Sequence, residues 1–308
     1  LNTKLKQNKT LEECMKLVKP SFSIMAMSGH PELPYSYEDP LPLIESAGRT
    51  CYKTEEKIGP GTAEKFVETI KGLGHLSVME HSWNSYILAN WGPLTNTLLS
   101  QNPVGTKNDW IVSGNIRMFK ETPQFDIYWK SVANKVCPIF PAEEKLYNHL
   151  VATVRFVCDR GVSHELVRHR IASYSQESTR YCDYSKDKFG NHVTFVIPPW
   201  LNIEEGETNP LEYTHNLDND ELVWLFAMSA SEVLYARLIK RGWSPQQARA
   251  ILPNSLKTEI VMTATWAEWK HVFNMRSIGI AGKPHPQMLE IMQPCHEAFK
   301  ELESECFK

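Results

Sequence analysis

No two cysteines in this 308-residue chain stand at C-x-x-C spacing, and the seven present (14, 51, 137, 158, 182, 295 and 306) are odd in number and widely spread. A disulfide framework and a structural zinc site are therefore not expected, and reduced thiols in a cytoplasm are. No apolar run approaches the roughly 20 residues that cross a bilayer, so no membrane association is expected. Residues 1–9 are polar and basic and lack the apolar stretch of a secretory signal. Excess charge of one sign is missing too. Lys+Arg 33 against Asp+Glu 36 gives a net charge of -3, so the surface as a whole is no polyanion binder. Any phosphate site must be a local concentration of charge. There is no internal repeat, no βαβ rhythm and no linker between two folding units. What is present is ordinary globular material, 42% hydrophobic and 22% charged.

The pattern along the chain predicts a single α+β domain. Residues 1–40 read as an N-terminal extension, with a helical turn or two near Leu11–Met15, and residues 41–308 as the main domain. Helices are expected near 41–52 and 63–72, the second ending at Gly72 and Gly74. Trp83 to Asn90 alternates like a strand, and a helix is expected around 108–120. Val151 to Val157 and 192–197 read as strands. The longest helical pattern is Asp218 to Lys240, with Leu222, Leu225, Phe226, Ser229, Val233, Ala236 and Leu238 as its apolar stripe. Ser244-Pro245 is a cap-then-proline helix start. A strand at 259–263 and helices at 266–278 and 286–304 complete the pattern.

The stretch from Asp159 to Tyr181 is the most informative. Between Arg155 and Arg180 stand five Arg against three acids, in a chain that is net negative. If 161–169 is helical, Arg160, His164 and Arg168 share a face, with Glu165 and His169 as a neighbouring pair. Hydroxyls follow at Ser173, Ser175, Ser178 and Thr179. Guanidinium forks and small hydroxyls suit a phosphate monoester or diphosphate. A solvated basic face paired to distant acids fits the same composition.

Arg168-His169-Arg170, seven residues and then Ser178, followed by Arg180-Tyr181, resembles the R-H-R-x7-S pattern of the flavin-dependent thymidylate synthases. Gly74-His75-Leu-Ser77-Val-Met-Glu80-His81 resembles that family's G-H-x-S-x-x-E-H segment. Ala248-Arg249-Ala-Ile-Leu-Pro253 resembles its A-R-x-x-L-P, and Trp269-Lys-His271-Val-Phe-Asn-Met-Arg276 its W-x-H-F-x-x-x-R. His285 follows an insertion, Ala281–Pro284, where a further histidine is usual. The chain departs from the family at Thr265 and Ala267, where an Asn and an Arg are common, and at Ser175. Ser113-Gly114-Asn115-Ile116-Arg117 resembles the missing Asn/Arg stretch but lies in the other half of the chain.

The resemblance implies that residues 41–308 form that family's catalytic domain, with a central, mainly antiparallel sheet flanked by helices. It implies reductive methylation of dUMP to dTMP, with 5,10-methylenetetrahydrofolate as carbon donor and NADPH reducing FAD, in a homotetramer with shared active sites. It implies that His75, Ser77, Glu80, Arg168, His169, Arg170 and His271 surround the FAD. The dUMP would be held by Glu165, Arg168, Gln176, Ser178, Arg180, Arg249 and Arg276. Arg276, at the pyrimidine edge, would be the catalytic cation, and no metal is expected. His75, Glu80 and His81 do not have zincin spacing.

Two other readings make different demands. Pro294-Cys295-His296 resembles the nucleophile of the cysteine-dependent thymidylate synthases, although Cys295 falls in an amphipathic helix pattern with Ile291, Met292 and Phe299. A non-enzymatic RNA-binding protein could use the 160–181 arginines, but no aromatic stacking motif accompanies them. Neither nucleic acid nor a membrane is therefore an expected partner.

Overall fold

The computed structural model describes residues 15–89, 99–101, 109–121, 134–135, 146–208 and 219–308. Most of the 91–140 stretch lies outside them, as do Leu11 to Cys14. Their strands are β1 (Met15–Val18), β2 (Ser21–Met27), β3 (Asn84–Ala89), β4 (Leu99–Gln101), β5 (Asp109–Gly114), β6 (Asn134–Lys135), β7 (Val151–Asp159), β8 (Ala172–Gln176), β9 (Thr194–Val196), β10 (Gly206–Thr208) and β11 (Lys257–Thr265). Helices α1 (Leu41–Tyr52), α2 (Thr62–Gly72), α3 (Ile116–Glu121), α4 (Arg160–Leu166), α5 (Asp220–Lys240), α6 (Pro245–Ala248), α7 (Trp266–Phe273) and α8 (Pro286–Leu302) accompany them. The chain is α+β, with antiparallel sheets flanked by helices. The expected central sheet is divided into three, ordered β10-β1-β9, β2-β7-β11-β8 and β4-β5-β3-β6. The one parallel pairing with a described register is β1 with β9.

These residues form two compact units whose segments alternate along the chain. The first comprises the described residues up to Ser21, Val157–His164 and Glu177–Thr258; the second comprises Phe22–Phe156, Glu165–Gln176 and Glu259–Lys308. The alternation explains why no linker is visible in the sequence.

In the first unit, Met15 and Leu17 of β1, Phe195 of β9 and Leu225, Met228 and Tyr235 of α5 share one core with Tyr184. The stretch expected as an extension thus supplies a core strand here and β2 to the second unit. Helix α5 begins where Asn219 Oδ1 accepts the Leu222 N–H (2.8 Å). Of the expected apolar stripe, Leu225, Ser229 and Ala236 are buried, whereas Phe226 is exposed. The core face includes Met228, Ser231, Glu232 and Tyr235 instead. With apolar residues nearly all round, the helix gives no single stripe to read. By length and composition it could cross a membrane; here its buried side chains join the core of the unit. Pro245 follows Ser244 as expected, and Gln247 Oε1 accepts the Ser244 N–H at 2.9 Å.

In the second unit, β7 and β11 are buried along almost their whole length. Strands covered on both faces favour apolar and β-branched residues, and both carry enough of them to be read from sequence. The hydroxyls among them are paired internally. Tyr37 OH meets Thr153 Oγ1 (2.6 Å), which meets Thr263 Oγ1 (2.6 Å). His81 lies between Thr263 Oγ1 (2.8 Å) and Ser175 Oγ (2.9 Å), and burial pushes its pKa down to about 3, so it is neutral. Helices α1 and α2 approach closely at Gly48, where a Cβ would stand 2.5 Å from Phe66 Cζ. The helix expected over 108–120 is half strand. Trp110-Ile111-Val112 pairs within β5, and the helix starts only after Asn115, whose Oδ1 accepts the Met118 N–H (2.9 Å).

Glu232 is fully buried; its Oε1 accepts the Val193 N–H (3.1 Å), while Oε2 has no partner among the described residues. Burial raises its pKa from 4.5 to about 8. The folded state therefore favours the neutral acid, and stability is lost as pH rises from 4.5 towards 8. Glu232→Gln should abolish that loss. Its melting temperature should gain on the parent between pH 5 and 8.5 by at least roughly 2–4 °C, the shift about 1 kcal/mol produces. Thermal unfolding across that range checks this, and a constant difference would contradict it.

Candidate active site

Helix α4 starts at a side-chain cap, with Asp159 Oδ1 accepting the Val162 N–H at 2.8 Å. It stops at Leu166, so the helical face expected to carry Arg168 together with Arg160 and His164 does not form. The reason lies on β8, where Tyr174 OH is 2.7 Å from the carbonyls of both Leu166 and His169. Burial keeps that phenol protonated, so it serves as donor to the turn. The turn leaves Arg168 and Arg170 exposed and turns His169 inward.

Helix α7 approaches from the other side. Thr265 caps it by accepting the Glu268 N–H (3.2 Å). Trp266 Nε1 donates to Val151 O (3.3 Å) and Trp269 Nε1 to Ala152 O (3.0 Å), which fastens the helix to β7. Beyond Phe273 the chain continues as a π-helical turn, Asn274–Ile278, that carries Arg276. Such turns occur often at functional sites. It ends at Gly279 (φ +79), where a Cβ would meet Pro284 Cδ at 2.7 Å and Gly282 O at 2.8 Å, so only glycine fits.

Arg276 is held on two sides. Its Nη1 donates to Glu165 Oε2 (2.6 Å) and its Nε to His169 Nε2 (3.2 Å). His169 in turn faces Glu268 Oε1 (3.5 Å) and stacks edge-on with the exposed His271, ring centroids 5.7 Å apart. Of the residues expected around a flavin and a nucleotide, Glu165, His169, His271 and Arg276 are thus in one place.

Glu80 is a second focus in this unit. Its carboxylate accepts from Ser173 Oγ (3.1 Å) and from Arg117 Nη1 (2.7 Å). Helix α3 therefore brings the Asn115-x-Arg117 stretch, out of place in the sequence, onto an expected flavin residue. Ala267 offers no polar side chain, and Thr265 spends its hydroxyl on the helix cap. His75 and Ser77 are exposed, with His75 Nδ1 3.3 Å from Tyr52 OH. Gln176 ends β8 opposite Ile260 of β11, and the exposed His285 precedes α8.

In the first unit, Arg249 Nη1 donates to Thr179 Oγ1 (3.1 Å), and the Arg180 N–H reaches Ser178 Oγ (3.3 Å). Ser178, Arg180 and Arg249 thus belong to one local arrangement. Of the five clustered arginines, Arg155 pairs with Glu55 and Glu259. Arg168, Arg170 and Arg180 form no ion pair among the described residues. Exposed guanidinium groups with no carboxylate to answer them fit an anionic ligand such as a nucleotide phosphate or a dinucleotide diphosphate. Glu80 does not oppose one, because Arg117 already answers its charge.

A profile described as thymidylate synthase complementing protein matches residues 142–306. The chain belongs to this family. The flavin-dependent thymidylate synthase of Pyrococcus abyssi is 36% identical over 121 residues, which are 39% of this chain and 43% of that protein. That of Thermococcus onnurineus is 36% identical over 135 residues, 44% of this chain and 49% of that protein. The chain thus spans about half the length of these two relatives. That of Mycobacterium avium is 26% identical over 260 residues, covering 80% of this chain and 72% of that protein. Among solved structures, a UMP/dUMP methylase, PolB from Streptomyces cacaoi bound with 5-Br UMP, aligns at 21% identity and a TM-score of 0.40, over 52% of this chain and 74% of that one.

The region matching the thymidylate synthase complementing family contains the Arg168–Arg170 turn, α7 and the Arg276 turn, but not Glu80 or Arg117. Sequence reading missed two participants. Glu268 could have been found, since it stands three residues before His271 on the same helix. Arg117 was visible as a motif, but only the fold gives it a place.

Cys295 is fully buried in α8, and burial pushes its thiol up, away from the reactive thiolate. In the folded protein Cys295 should resist iodoacetamide at pH 8 and label only on unfolding, as read by peptide mass spectrometry. Rapid native labelling would return it to consideration as a nucleophile.

Proposed function

We propose that this chain is a flavin-dependent thymidylate synthase. It would methylate dUMP to dTMP with carbon from 5,10-methylenetetrahydrofolate and reducing equivalents from NADPH through FAD. The observation that supports this best is the fixed Arg276 guanidinium. Its Nε and Nη1 are engaged by His169 and Glu165, and Nη2 has no hydrogen-bond partner among the described residues.

Uracil C5 is a weak nucleophile, and without an enzymic thiolate something must draw electron density through the ring. A preorganised cation at the O2/N3 edge stabilises the enolate-like anion as it forms, and it needs no reorganisation at that moment. Arg276 fits that role, because its two anchors fix its direction before substrate arrives. Cys295 does not fit as a nucleophile, buried as it is. Arg168, Ser178 and Arg180 would hold the nucleotide phosphate by charge-assisted hydrogen bonds, with Arg249 and Gln176 assisting. His75, Ser77, Glu80, Arg168, His169, Arg170 and His271 would hold FAD, with Arg117 orienting the Glu80 carboxylate. When bound, the flavin supplies the hydride that completes the methyl group. The homotetramer is part of the proposal. Val223, Phe226 and Leu234 on α5 are 50%, 37% and 50% exposed, an apolar surface suited to a neighbouring subunit.

The purified protein should be yellow, and its flavin band should bleach with NADPH; a colourless preparation that takes up no added FAD would end the proposal. Arg276→Ala should lower dTMP formation roughly 10²–10³-fold, as loss of a preorganised donor to an oxyanion does, while NADPH oxidation changes much less. Equal loss of both would remove Arg276 from its ring-activating role. Cys295→Ala should leave dTMP formation nearly unchanged.

A further inference from the structure

Glu268 is not among the residues proposed to hold substrate or flavin, yet it stands behind His169, which holds Arg276. We propose that Glu268 is a positioning residue that fixes His169 in the Nδ1–H tautomer and so keeps the Arg276 guanidinium aimed. This deepens the proposed function and rests on Arg276 being the cation that faces substrate.

The argument is one of donors and acceptors. Arginine has N–H donors and no acceptor, so an Arg276 Nε–H that points at His169 Nε2 requires a lone pair there (3.2 Å). A neutral imidazole carries one N–H, which must then be on Nδ1. An imidazolium would direct an N–H at the guanidinium instead. Nδ1 faces Glu268 Oε1 at 3.5 Å, with the two side chains only 6% and 10% exposed. That is longer than a good hydrogen bond, but between buried groups an ionised oxygen still favours the tautomer that presents N–H to it. A carboxylate behind an imidazole is a common means of choosing its tautomer.

Glu268 is itself well placed for this. Its backbone N–H is held by Thr265 Oγ1, and the next residue, Trp269, is fastened to β7 through Ala152 O. The sequence Glu268, His169, Arg276, Glu165 therefore starts and ends on carboxylates, with one imidazole and one guanidinium between them. Removing Glu165 takes away one anchor of the guanidinium, and removing Glu268 loosens the other, His169.

The same side chains could be read differently. Ligand atoms of His169, Glu268 and His271 lie within 4.8 Å of one another, a spacing that could hold a metal ion. A metal on His169 Nδ1 would leave the proton on Nε2, where it would collide with the Arg276 Nε–H. The metal and the Arg276 contact exclude one another, and the contact is what the structure has.

The test begins with the unmodified, ligand-free protein. Nitrogen-15 NMR of its histidine rings, with the His169 signals assigned by their loss in His169→Asn, should show the Nδ1–H tautomer. An Nε2–H tautomer would overturn the proposal without any Glu268 variant. Glu268→Gln should shift His169 towards a mixture of tautomers, and Glu268→Asp should retain most of the Nδ1–H form. In turnover, Glu268→Gln should lower kcat roughly 10–100-fold, the size seen when the orienting partner of a metal-bound imidazole is removed, with KM for dUMP changed much less. An unchanged tautomer in Glu268→Gln, or Zn²⁺ binding by calorimetry that is lost in His271→Ala, would overturn it. The NMR readout requires neither flavin nor substrate. A protein that fails to bind FAD or to make dTMP would therefore defeat the proposed function while leaving the tautomer result to stand or fall separately.

Discussion

Two indole N–H groups hold the candidate site together. Trp266 and Trp269 donate to consecutive carbonyls at the start of β7, and the Trp269 ring is surrounded by Phe156, Phe273 and Phe299 at centroid distances of 6.2, 5.6 and 5.2 Å. A tryptophan brings a large apolar surface and one donor, so its burial fixes both position and direction. Helix α7 cannot rotate or slide without losing these bonds. Glu268, His271 and, one turn further, Arg276 are consequently set by groups that take no part in the chemistry. The rest of the constellation depends on that fastening.

The electrostatics follow the same division of labour. Some cations belong to the framework, as when Lys53 and Arg155 share Glu259 and Glu55. Others form no ion pair among the described residues, and Arg168, Arg170 and Arg180 are among them. A net charge close to neutral conceals this, because it averages spent and unspent charges. Buried imidazoles make the contrast sharper. His81 is kept neutral between two hydroxyls, whereas His169 is placed between a carboxylate and a guanidinium and is governed by both.

How far the sequence discloses this depends on whether a signal is local. β7 and β11 were legible because both are rich in β-branched and other apolar residues, although Arg155 and Glu259 interrupt them, and α6 because its capping residues are adjacent in sequence. Arg168-His169-Arg170, Arg249 and Arg276 stand out through motif spacing, and of these the structure brings His169 and Arg276 into contact. The helix expected over 108–120 was misread because Asn115, which begins the real helix, lies in the middle of that span. The helical face through Arg168 failed because Tyr174, later in the chain, ends α4 early. α5 gave a blurred stripe because its exposed side is apolar as well. The partnership of Arg117 with Glu80 and that of Glu268 with His169 are contacts between segments 37 and 99 positions apart in the chain, which periodicity cannot register.

The π-helical turn at Asn274–Ile278 has a consequence for how this protein can change. A π-turn accommodates one residue more than an α-helical turn, so deleting a single residue there would let an ordinary helix form. Local backbone geometry would improve, yet every side chain beyond the deletion would swing by about 100° around the axis. Arg276 would leave both of its anchors. The turn is thus a place where a lineage could gain helix stability by losing one codon, at the cost of the aim of one side chain.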